Sequence, residues 1–277
     1  MTPFAIRWVI DDTKLLEQRP SLDRDRIFQL YFEDARQVWG YVLQGWPTRA
    51  DGRALRLPGG AAFGYLAIRV VFDRFTSGNP NDVARVDVDE LRKHLVTGPG
   101  GELFPSQGTI RIDLDDLERL LLDRPRFKDT VVHEIGHVLG LGTLFGDRRL
   151  VRTVTDHHAR YLGTNGCRAY AELLGRAFGA SVEVPLQTEP GGTTPAYHWD
   201  ERALPLEIMS TELDQPGHVA PDALRHIGTA TATNVISPVS AGALKDLGYV
   251  VDLSKAQRVA AHPVDGSDAP EAASSGP

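Results

Sequence analysis

The spacing of apolar residues divides the chain into an orderly first half of strands and helices and a less regular second half. Phe4 to Ile10 is rich in β-branched and aromatic residues and ends at Asp11-Asp12, which predicts a strand followed by a turn. From Asp23 to Leu43, the residues Ile27, Leu30, Tyr31, Ala35, Val38, Trp39 and Val42 recur at helical spacing. Gly45, Pro47 and the glycines near 60 then predict a loop. Tyr65 to Phe72 reads as a second strand, Val86 to Val96 as a short helix, Gly98 to Gly101 as a turn and Gly108 to Asp113 as a third strand. Leu114 to Leu122 and Phe127 to Leu139 follow as helices. Between Thr143 and Tyr197 only one helix is expected, at Arg168 to Phe178. Ser237-Pro238 supplies a helix cap with proline behind it, Ala241, Leu244 and Leu247 an apolar stripe, and Gly248 a stop. Beyond Gln257 the chain turns to Ala, Ser, Pro, Gly and Asp, a composition that predicts disorder over 257–277. No internal repeat is present.

Composition narrows the function classes. Of 277 residues 42% are hydrophobic and 24% charged, enough to bury a core without staples. The net charge of -7, with no concentrated basic stretch, argues against a nucleic-acid partner. The single cysteine, Cys167, excludes a disulfide within the chain and reads as an ordinary thiol. No apolar run approaches the roughly 18 residues of a membrane-spanning helix, and Arg69 breaks the best candidate. The N-terminal segment lacks the features of a secretory signal and reads as a strand. A monomer is expected.

The chemistry concentrates in His133-Glu134-Ile135-Gly136-His137. Residues four apart on a helix share a face, so His133 and His137 can bring two imidazole nitrogens to one Zn²⁺ at about 2.0–2.1 Å. Glu134, beside the first histidine, is placed to take a proton from a water activated by that ion. With nine His and thirteen Glu in the chain, chance would produce the pattern with a frequency on the order of 0.01. Val131, Val132, Ile135, Val138 and Leu139 give the helix buried sides, and Asp129 is expected in its first turn. A catalytic zinc site needs a third protein ligand. Metzincins place a histidine three residues beyond the glycine that follows the helix, but Thr143 stands there. The third ligand therefore comes from elsewhere: His157 and His158 lie in a polar stretch, His198 precedes Met209 by eleven residues, and Glu172 is the best carboxylate.

At His133 to Phe145, at His198-Trp199-Asp200-Glu201 and at Glu207-Ile208-Met209-Ser210, the sequence resembles the leishmanolysin family of metzincin zinc endopeptidases. Ala243 to Asp252 resembles that family's closing helix, so the likeness spans about half the chain. The resemblance implies one catalytic Zn²⁺ held by His133, His137 and His198, Glu134 as general base, and Met209 as a Met-turn packed beneath the metal. It implies an α+β metzincin-type zincin, with an N-terminal twisted mixed sheet, two main helices and an active-site cleft. The C-terminal subdomain is expected to be mostly irregular and helical. The expected divisions are 1–142, an insertion at 143–197, a C-terminal subdomain at 198–256, and the tail. Gly140 is expected to turn the chain away in the left-handed conformation. The insertion can then be a surface excursion that returns at His198, since loop closure grows only logarithmically with length. The implied substrate is a protein or peptide in extended conformation, paired with an edge strand just before or within Gly101 to Asp113.

Unlike leishmanolysin, which is disulfide-rich and carries a propeptide, this chain has one cysteine. Two other readings stand beside the endopeptidase. One is a gluzincin-type peptidase with Glu172 as third ligand, the other a catalytically silent zincin-fold binding protein. His94, His218, His226 and His262 have no partner at ligand spacing and read as surface or core residues, and Ser237 to Ser240 reads as a helix cap.

Overall fold

The computed structural model describes residues 2–47, 53–57, 62–76, 82–155, 158–177, 179–187, 197–210, 213 and 234–264. The chain is α+β, with a mixed sheet and several helices. Ile6–Asp11, Leu66–Asp73 and Gln107–Asp113 lie parallel in that order, with Ala84–Val86 antiparallel on the outer side of Gln107–Asp113. Parallel neighbours need crossovers, and helical segments after the first and second strands supply them. Along Leu66–Asp73 the alternate residues Leu66, Ile68, Val70 and Phe72 are buried, the period-two pattern that made this strand legible.

Two helices pack together behind the sheet. One runs over residues 24–42, α-helical at Arg24–Ile27 and Asp34–Val42 with a π-helical segment, Phe28–Glu33, between. Asp23 caps it by accepting the Arg26 amide at 3.0 Å. The other, Arg124–Val138, carries the histidine motif and is buried on every side from Phe127 to Val138. Trp39 Nε1 donates to the Val132 carbonyl at 2.8 Å and ties the two together. Arg124–Val138 starts earlier than its apolar pattern predicts, because Asp123 accepts the Arg126 amide and Pro125 occupies the first turn. Asp129 is therefore not in the first turn. It is fully buried and accepts the backbone and side-chain N–H groups of Asn234 at 2.9 and 3.0 Å.

Several expectations are corrected. Gly45 lies in a strand, Leu43–Trp46, which pairs with Thr2–Pro3 on one side and Val250–Val251 on the other. Val86 to Val96 is strand, helix and strand, at Ala84–Val86, Val88–Lys93 and Leu95–Thr97. The helix expected at Arg168 to Phe178 is Thr164–Leu173, and Phe178 lies outside the described residues. Gln107–Asp113 is flanked on both sides in a sheet whose outer strands are Ile6–Asp11 and Ala84–Val86, while Leu103–Pro105 pairs, among the described residues, only with Leu95–Thr97. The tail does not loosen at Gln257. Residues 257–264 lie along the C-terminal region, with Gln257 N–H donating to Ile236 O and His262 N–H to Ala203 O, while 265–277 lie outside the described residues.

The insertion is a packed layer instead of a surface excursion. Val151–Thr155, His158–Tyr161 and Val184–Leu186 form an antiparallel sheet, and Thr164–Leu173 packs along Pro238–Leu247. Tyr161, Cys167, Tyr170, Val184 and Leu186 are buried, which gives this layer the apolar content of a core. Asp246 fastens the two helices by accepting from Tyr161 O–H at 2.9 Å, the Asn165 side chain at 2.7 Å, and the Asn165 and Gly166 amides at 2.9 and 3.0 Å. Asp246→Ala leaves four donors without their acceptor and is expected to lower stability by about 2 kcal/mol. A urea denaturation curve measures this, with Lys245→Ala, an exposed neighbour, expected to change little.

Candidate metal centre

Three imidazoles converge where the motif helix meets the C-terminal segments. His198 Nε2 lies 3.2 Å from His133 Nε2 and 3.0 Å from His137 Nε2. Among the described residues this is the one group of three or more His, Cys, Asp or Glu able to hold a metal ion. The sequence left the third ligand open between His157, His158, His198 and Glu172. The fold brings His198 to the helical pair, while Glu172 is exposed on its own helix. His157 lies outside the described residues, as do His218 and His226. His94 is half-buried and pairs with Glu90 at 3.1 Å, and His262 is exposed.

Hydrogen bonds on the far ring nitrogens set the chemistry. His133 Nδ1 is 2.6 Å from the Ile208 carbonyl and His137 Nδ1 2.9 Å from the Leu141 carbonyl. A carbonyl can only accept, so both Nδ1 atoms carry the proton and each neutral ring turns an Nε2 lone pair toward His198. Burial holds His133 down at about 4 and His198 at about 3, and pushes His137 well below the usual histidine range. His198 Nε2 has at most one proton to give, so at most one of the two close contacts is a hydrogen bond. At least one of the two neighbouring lone pairs is therefore left without a donor, an arrangement that a cation relieves. Three nitrogens held at about 2.0–2.1 Å by a tetrahedral zinc lie about 3.3–3.4 Å apart. The donor set and its spacing fit such an ion.

The turns on either side of the site explain why His198 arrives there. Gly140, at φ +104°, ends the motif helix, and Gly142, at φ +74°, bends the chain again. A Cβ on Gly142 would stand 2.1 Å from the Tyr197 carbonyl oxygen, so glycine is what lets the returning chain lie against the helix end. Thr143 is buried and donates its hydroxyl to the His137 carbonyl at 2.7 Å, sealing the helix terminus. On the opposite side Trp199 N–H donates to Met209 O at 3.0 Å, which fixes His198 to the turn around Met209. Met209 is buried beneath the helix: a Cβ on Gly136 would meet its Sδ at 2.3 Å. That turn is organised by Glu207, fully buried, which accepts the Met209 amide at 2.5 Å and the Ser237 amide at 3.1 Å. The same turn presents the Ile208 carbonyl to His133. Ser237 in turn caps Pro238–Leu247 as its sequence predicts.

Glu134 is buried beside the first histidine. Desolvation and then Asp82 push its carboxyl up to about 8, against a hydrogen bond from the Val86 amide of the edge strand. Its Oε2 is buried with no hydrogen-bond partner among the described residues. A cation at the imidazoles would favour the carboxylate form. Cys167 is buried, its thiol raised to about 11 and donating to the Tyr161 carbonyl, in keeping with an ordinary structural thiol.

Sequence reasoning assigned no role at the site to Gly142, Glu207 or Trp39, nor to the carbonyls of Leu141 and Ile208. The Gly140-Leu141-Gly142 doublet was a usable signal for the first. Backbone carbonyls carry no side-chain signature, so nothing in the sequence could have named the others' partners. Gly142→Ala is expected to displace His198 and weaken zinc binding at least about tenfold, with the helical circular dichroism kept. Competitive chelator titration reads this, and Gly146→Ala, whose Cβ meets nothing within 4 Å, is expected to bind as wild type.

No protein-family model matches the chain, and no curated protein matches it either.

Proposed function

We propose that the chain is a zinc-dependent endopeptidase of the metzincin type, with the displaced third histidine of the leishmanolysin-like proteins. The observation that carries the reading is the convergence of three neutral imidazole Nε2 atoms beside a buried glutamate, above a methionine turn. His133, His137 and His198 would hold the ion, leaving the fourth position open. Zinc supplies Lewis acidity there and brings the pKa of a coordinated water toward about 7.

The chain's own residues account for the rest. Glu134 Oε2 takes the proton of the attacking water and returns it to the leaving amine, acting in the carboxylate form that a cation at the imidazoles favours. The Nδ1 bonds to Ile208 O and Leu141 O keep both helical imidazoles in the ligating tautomer and hold their planes. Met209 and Gly136 fill the space under the site and exclude water from below. An extended peptide gains backbone hydrogen bonds along the edge strand Ala84–Val86, which packs against the motif helix. The partner expected is thus a protein or peptide segment. No described helix is long and apolar enough to cross a membrane.

Elemental analysis with casein cleavage tests the reading. About one zinc per chain and chelator-sensitive cleavage are expected of the wild type. His198→Ala is expected to lose most of its zinc, and Glu134→Gln to keep it while cleavage falls by about 10²–10⁴-fold. Zinc unchanged in His198→Ala would overturn the ligand assignment, and zinc without cleavage would overturn the activity.

A further inference from the structure

A cavity of ≈ 380 Å³ beside the imidazole cluster has Arg85, Arg92, Arg111, Asp87, Asp89 and Tyr197 in its wall. It adjoins the site at two points. Val86 lines it, in the edge strand Ala84–Val86 that packs against the motif helix. Tyr197, covalently joined to His198, lines it too, with its ring 6.4 Å from that of His137. A peptide extended along Ala84–Val86 sends alternate side chains to opposite faces, so one residue next to the reacting bond has this cavity for its side chain.

Three guanidiniums face two carboxylates in the wall. Asp87 is already committed, accepting the Glu90 amide at 3.1 Å and Arg111 at 3.3 Å, and Arg111 also lies 3.6 Å from Asp73. Asp89 is exposed, where water and salt screen it. Arg85 lies over the Phe75 ring at 4.3 Å and reaches Asp82 only at 3.4 Å. Arg92 makes two long contacts, 3.3 Å to Asp147 and 3.4 Å to the Thr143 carbonyl. Each guanidinium has five N–H groups, so the wall has more donors than its own carboxylates accept, and the Tyr197 hydroxyl adds another. An apolar side chain would bury those donors without replacing their water. A lysine would meet three guanidiniums, with Asp87 already committed and Asp89 screened by water.

We propose that this cavity is the subsite for an acidic side chain, Glu or Asp, flanking the scissile bond, with Arg92 and Arg85 as the residues that determine that specificity. The inference rests on the endopeptidase reading above and adds the substrate class to it.

The test pairs two readouts on one proteome-derived peptide mixture. Zinc-loaded wild type digests it, and the cut sites are read by mass spectrometry. Immobilised, zinc-loaded Glu134→Gln captures peptides from the undigested mixture. Expected are at least about fivefold enrichment of Glu and Asp at one position beside the cut, and the same enrichment among captured peptides. Arg92→Gln should reduce both toward background. Arg85→Gln, whose side chain is half exposed, decides the matter if Arg92→Gln fails to fold. Enrichment of basic or apolar residues at every flanking position, or acidic enrichment that neither variant moves, overturns the proposal. Acidic capture without cleavage would support the subsite and sink the hydrolase reading. The absence of both cleavage and acidic capture would overturn the subsite, while the zinc content, measured separately, would still decide the metal site.

Discussion

Two hydrogen bonds from imidazole Nδ1 atoms to backbone carbonyls decide what the three histidines can do. The Ile208 and Leu141 carbonyls lock the protons of His133 and His137 on the far side of each ring and leave the near nitrogens as lone pairs. Without them either ring could flip or change tautomer, and the cluster would become an ordinary chain of histidine hydrogen bonds. Each carbonyl belongs to a turn that something else must hold. Leu141 sits between two glycines of positive φ, and Ile208 sits in a turn whose amides are gathered by the buried carboxyl group of Glu207. The convergence of the three ring nitrogens is therefore a property of the turns as much as of the histidines.

The motif helix was legible because its chemistry lies in side chains at fixed spacing. His133, Glu134 and His137 need only 3.6 residues per turn to share a face, and the fold keeps them there. His198 was one of four candidates on the residues alone and was singled out only by the resemblance to the leishmanolysin family, and the fold brings it within hydrogen-bond range of both partners. Leu66–Asp73 and Pro238–Leu247 were also readable, one from period-two burial and the other from Ser237, Pro238 and Gly248.

What stayed illegible depended on long-range partners. Leu43–Trp46 looks like a loop because Gly45 and Pro47 punctuate it, yet pairing with distant segments makes it a strand. Ala84–Val86 is three residues long, too short for any period to register, and it forms the sheet edge beside Glu134. The insertion looked like a detour because its apolar residues follow no single period. They are buried against Pro238–Leu247, and that helix has no local trace in residues 143–197.

The strand Leu43–Trp46 carries a consequence for the timing of assembly. It joins Thr2–Pro3 to Val250–Val251, so its second edge cannot close until some 200 further residues have left the ribosome. At about 5–20 residues per second that is a wait of about 10–40 s. Asn234 and Ser237, which brace the motif helix and the Met209 turn, emerge almost as late. A nascent chain thus holds the helical histidine pair long before it holds the third ring in place. Whatever chemistry the finished site performs is withheld from the half-made chain by the order of synthesis alone.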